Sequence, residues 1–147
     1  PDCFVCGPNR KVGDGLRIFA APFSAADSTV AAAWKVDSAF ASSQGVIPLP
    51  IVWSALDCPG YFAYLFASGD RTTPTVLAKM RAIVYSNAAS SAELVVMGWI
   101  QKQKLPFVEA GTALYDGKRL LAQAESVWMQ PRNWCEPNRG AREPEKT

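Results

Sequence analysis

The chain has 147 residues, 49% of them apolar and 19% charged, with fifteen basic and thirteen acidic side chains, a net charge of +2 and no histidine. That balance describes one globular domain able to bury its own core, and it excludes a disordered chain. The two signs are interspersed, with no basic stripe and no aromatic platform among the lysines, so nucleic acid is not an expected partner.

Residues 1–15 read as loop, punctuated by Gly7, Pro8, Gly13 and Gly15 with Asn9 and Asp14 as turn formers. Leu16–Ala21 and Thr29–Val36 read as two short strands joined by Pro22–Ser28, and Ala39–Leu49 as irregular. A long apolar element follows. Val52, Ala55, Leu56, Ala63 and Phe66 recur at helical spacing, while Ile51, Trp53, Phe62 and Leu65 fill the other sides. A helix apolar all round is one wrapped by the rest of its fold. Pro59 should kink or break it near Cys58, and Ser68-Gly69-Asp70 should end it. Three prolines and an aspartate between Val46 and Ala67 argue against a membrane span.

From Thr75 the period changes to two. Val76–Tyr85, Leu94–Gln103, Phe107–Tyr115 and Leu120–Gln130 read as strands of a four-stranded meander. Asn87–Ala92 and Pro106 make the first two connections, and Asp116-Gly117 makes a turn that wants positive φ at both centres. The polar residues 132–147 read as a tail on a single domain spanning 1–147. Two short strands, a buried helix and four long strands predict an α+β fold: a curved antiparallel sheet of about six strands around one central helix. The sheet edges then favour association with a second copy.

Asp57 is the most informative residue, because from Ser38 to Gly69 it is the one charged side chain. A carboxylate inside a buried helix must be paired, protonated or put to use. The structural alternative is an aspartate that caps the segment after Pro59 or bonds nearby backbone and tyrosine groups. Without histidine, no Ser-His-Asp or Cys-His hydrolase can be built from these residues. Cys58 likewise lacks a base and reads as a small buried residue. Cys3-x-x-Cys6-Gly is half of a zinc knuckle. The two further ligands would have to be Cys58, in the buried helix, and Cys135, in the tail, so the expected reading is a tight loop on the sheet with no metal. Disulfides are not needed in a core of this size, which places the chain in the reducing cytoplasm.

Three segments resemble the hotdog-fold thioesterase superfamily, in particular its small acyl-CoA thioesterases and their uncharacterised relatives. They are Cys3-Phe-Val-Cys-Gly-Pro-Asn with Gly15-Leu-Arg-Ile-Phe, then Ala55-Leu-Asp in the helix, then Leu114-Tyr-Asp-Gly-Lys-Arg-Leu-Leu-Ala-Gln-Ala-Glu-Ser-Val-Trp. The resemblance implies a hotdog fold, assembly as a homodimer or dimer of dimers, and hydrolysis of an acyl-CoA or related thioester with no cofactor beyond the coenzyme A of the substrate. Asp57 falls on the family's catalytic aspartate, as base or nucleophile. The family's His-Gly-Gly loop then falls on Pro48, Leu49 and Pro50, which leaves the Leu49 N–H as oxyanion donor and removes the glycines. An alternative follows from that departure: a thioester-binding protein that has lost catalysis along with the loop. Trp53, Tyr61 and Tyr64 are candidates to line an acyl pocket. Lys79 and Arg81, with Lys102, Lys104 and Arg132, are candidates for the coenzyme A phosphates.

Overall fold

The computed structural model describes residues 2–24 and 28–131. Arg132, Cys135 and the polar tail lie outside them. Six strands form one antiparallel sheet: β1 (Ala21–Ser24), β2 (Thr29–Trp34), β3 (Val76–Val84), β4 (Leu94–Lys104), β5 (Phe107–Asp116) and β6 (Arg119–Met129). Two helices, α1 (Leu49–Ala55) and α2 (Cys58–Ser68), stand between β2 and β3 in the chain; α2 packs on the sheet and α1 against α2. The long central helical element is interrupted at Leu56-Asp57, as Pro59, which has no N–H to donate, leads one to expect. Gly69, at φ 69°, closes α2 in the left-handed conformation that glycine adopts without cost.

The strand order is β1-β2-β4-β5-β6-β3. Only β4, β5 and β6 form a meander. Contrary to the four-strand expectation, β3 lies at the far edge beside β6, and β2 takes the place beside β4. Alternation reports which way side chains face, not which strands are neighbours. The connection after β3 is long for a hairpin and runs back to the helix entrance, where Val46 bridges Ala89 and the Ile47 N–H donates to Ala88. The first strand also differs from its predicted span. Leu16 and Ile18 donate to the carbonyls of Phe4 and Val5 instead of joining the sheet, Arg17 turns the chain at φ 56°, and β1 begins only at Ala21. The last hairpin turns through Gly117-Lys118, one residue later than expected. Positive φ occurs at Gly117 alone, the pattern of a type II′ turn.

The core lies between helices and sheet. Leu56, Ala55 and Ala63 from the helices meet Val30, Leu94, Val96, Leu114, Leu121 and Ala122 from the strands. A satellite cluster of Tyr64, Val108, Ala110 and Trp128 extends it beneath α2. The helices are not wrapped on every side, however. Leu49 is 55% exposed and Phe66 37%, and Ile51, Trp53, Phe62 and Leu65 are half-buried, so one apolar flank stays open in the protomer. Among the described residues no helix is long and apolar enough to cross a membrane.

Candidate functional site

The break between the helices is pressed onto the sheet. Gly98 of β4 sits under Pro59 so closely that a Cβ there would lie 2.3 Å from the Pro59 carbonyl oxygen. Gly60 is close-packed but less tightly, with Ala110, Thr112 and Ser126 side chains 3.1–3.3 Å from where its Cβ would stand. Thr112, fully buried on β5, donates its hydroxyl to the Leu56 carbonyl at 2.8 Å. That carbonyl lies just past the end of α1, where helical carbonyls lose their intrahelical partners. Two glycines and one threonine thus fix the position of Asp57.

Asp57 occupies the N-cap position of α2 but does not cap it. Its backbone is already helical at φ −75° and ψ −78°, and its side chain makes no cap hydrogen bond. A capping aspartate ordinarily has extended backbone and accepts from an N–H two or three residues on. Oδ1 is buried and has no hydrogen-bond partner among the described residues. Burial pushes the Asp57 carboxyl up from its ordinary value. The structural alternative, a cap or a backbone- or tyrosine-bonded aspartate, finds no support for that oxygen.

The remaining candidates divide. Leu49 and Trp53 on α1, Asp57 between the helices and Tyr61 on α2 each keep some exposure. Tyr61 stacks at 5.4 Å on Trp128, and desolvation raises its phenol pKa. Tyr64 is core: it is buried, and its hydroxyl accepts from Gln130 Nε2 at 2.8 Å. Lys79 and Arg81 are not brought to Asp57 within the protomer. Their neighbours Met80 and Ala82 pack into the core, so alternation sends Lys79 and Arg81 to the outer face of the sheet. There they line a groove of about 210 Å³ with Gln101, Glu109 and Glu125.

The cysteines depart most from the sequence reading. Cys58 is buried as expected, but it does not lie apart from the N-terminal turn. The Sγ atoms of Cys3, Cys6 and Cys58 all lie within 4.8 Å of one another, and Cys3 and Cys58 are 3.6 Å apart. The hydrogen bond with Cys58 holds the Cys6 thiol down at about 6, while the same bond and burial push Cys58 far above the ordinary thiol range. All three are free thiols. Sequence spacing could not show this cluster, because fifty-five positions separate Cys3 from Cys58. Thr112 left a fainter signal, as a polar residue on the inward side of β5 between Ala110 and Leu114.

No family model matches the chain, and no curated protein matches it in sequence. Solved structures do match its shape. Zebra fish thioesterase superfamily member 2 is 15% identical and superposes with a TM-score of 0.69 over 85% of this chain and 88% of its own. Thioesterase superfamily member 2 from Mus musculus is 18% identical, with a TM-score of 0.65 over 79% and 84%. A mutant thioesterase from Pseudomonas aeruginosa is 16% identical, with a TM-score of 0.67 over 81% and 84%. The chain has the hotdog fold, as the sequence resemblance implied.

Proposed function

We propose that this chain hydrolyses an acyl thioester, coenzyme A-linked or of similar build, with Asp57 as general base or nucleophile. The state of that carboxylate carries the reading. It stands at a helix start that it does not cap, with one oxygen out of water and unbonded. A desolvated, unpaired carboxylate is a stronger base than a solvated one. As base it takes a proton from water while the hydroxide adds to the carbonyl. The C–S bond then breaks, and the thiolate leaves with a proton. As nucleophile it forms an acyl anhydride that water cleaves in a second step.

The fold it shares with thioesterases supports the substrate class. The Leu49 N–H, in the first turn of α1, is the candidate donor to the carbonyl oxygen. Leu49 opens α1 and Asp57 lies beyond its far end, so this seven-residue helix, about 10 Å long, stands between the donor and the carboxylate, too far for both to serve one carbonyl. A homodimer, or a dimer of dimers, in which the helix entrance of one protomer meets the helix break of another would supply both. It would also cover the open flank, with Trp53 and Tyr61 against the acyl group. Lys79 and Arg81, on the far face of their own sheet, would then serve coenzyme A phosphates at another protomer's site.

A second reading, binding without turnover, is favoured by the prolines that flank Leu49 and by its exposed side chain where the family has glycines. Thiol release from a panel of acyl-CoAs, short aliphatic to aromatic, separates the two. Turnover supports the hydrolase. Its absence, with a thioester that raises the melting temperature, supports the binder.

A further inference from the structure

The thiol cluster at the helix break has a geometry of its own. Cys3 and Cys6 come from a tight turn closed by the Gly7 N–H donating to the Cys3 carbonyl at 2.8 Å. That turn has no strand or helix to hold it. It is tied down by the Leu16 and Ile18 N–H groups on Phe4 and Val5 and by the edge-on contact of Phe4 with Phe40. Cys58 is the first residue of α2. The sequence thus delivers three sulfurs from two remote segments to one point.

Three sulfurs in mutual reach fit a metal better than a disulfide. A tetrahedral zinc with bonds of about 2.3 Å holds its thiolates about 3.8 Å apart. The Cys3–Cys58 separation is 3.6 Å, and the other pairs close within 4.8 Å. A disulfide would require about 2.05 Å between two of the sulfurs and would strand the third beside it. The donor set is all thiolate, which selects soft or borderline cations and excludes magnesium and calcium. Cys3 is exposed, so an ion can reach the cluster from solvent.

We propose that Cys3, Cys6 and Cys58 bind one zinc ion through their thiolates, fastening the N-terminal segment to the helix break beside Asp57. Binding releases thiol protons to solvent and changes no oxidation state. The proposal does not rest on the hydrolytic reading, because the geometry of the three sulfurs carries it whatever Asp57 does.

The test uses the whole chain, reduced and purified without added metal, with any affinity tag removed. Elemental analysis should find close to one zinc per chain, reduced at least tenfold in Cys3→Ser and Cys6→Ser. Cobalt(II) added to chelator-stripped protein should give an intense thiolate-to-cobalt charge-transfer band that zinc abolishes. Cys58→Ser serves as a third variant only where circular dichroism shows it folded. Cys3→Ser, at an exposed turn, keeps the test meaningful if it is not. Failure of the reduced native protein to give the cobalt band overturns the proposal. So does a non-reduced protein that is lighter by two hydrogens, yields a linked Cys3–Cys58 peptide and holds no zinc after reduction.

Discussion

At the scale of single residues, Asp57 was legible and its surroundings were not. One charge in thirty-two otherwise uncharged residues announces itself in a sequence. Whether that charge is capped, paired or left bare depends on backbone angles and on chain far away. A bare buried oxygen should cost stability, because desolvation is not offset by a hydrogen bond. Asp57→Asn should therefore raise stability by about 1 kcal/mol, a shift of roughly 3 °C in melting temperature for a domain of this size. Thermal unfolding by calorimetry reads it directly, and a lower melting temperature would point to a partner for Oδ1. Thr112 works in the opposite sense. Thr112→Val keeps shape but removes the buried donor to Leu56, so denaturant titration should show a loss of about 1 kcal/mol. The thiol cluster marks the limit of reading residues in chain order: Cys3-x-x-Cys6 was visible, but its third member depended on the fold bringing α2 to the N-terminal turn.

Elements were read well where local chemistry decides them. Period-two alternation marked the four long strands to within a residue or two, and Pro59 marked the break in the helix. Neighbours were read poorly, because β3 and β4 are consecutive in sequence yet sit at different places in the sheet. The hint was the long connection between them, whose midpoint pairs with the helix entrance instead of turning a hairpin. Leu16–Ala21 carried a strand-like composition, but its backbone hydrogen bonds go to Phe4 and Val5. Gly98 shows how an element contact can govern a site. Its missing side chain lets the Pro59 carbonyl come to where a Cβ would be. Gly98→Ala should displace the break or strain the sheet, at a cost of about 3 kcal/mol. Equilibrium unfolding measures that cost, and a neutral result would mean that the helix break is free to move away from β4.

At the scale of the whole molecule, the hotdog fold was legible because the order of elements and three motif segments agreed, even though overall identity to solved thioesterases is below a fifth. The protomer leaves two features incomplete: a nine-residue edge strand, β3, paired on one side only, and an open apolar flank on the helices. A second copy would satisfy both, in which case light scattering should give twice the protomer mass or a multiple of it across dilution. A monomer at all concentrations would remove the two-protomer site and leave the Leu49 N–H without a role. The central claim is that Asp57 acts on a thioester. Its most direct test is thiol release from the acyl-CoA panel by the native protein and by Asp57→Asn side by side, with the protein's own cysteines subtracted in a substrate-free control. The expected result is turnover by the native protein and a loss of at least about 100-fold in kcat for a variant that is folded and no less stable. Equal turnover by both proteins would contradict the assignment of Asp57.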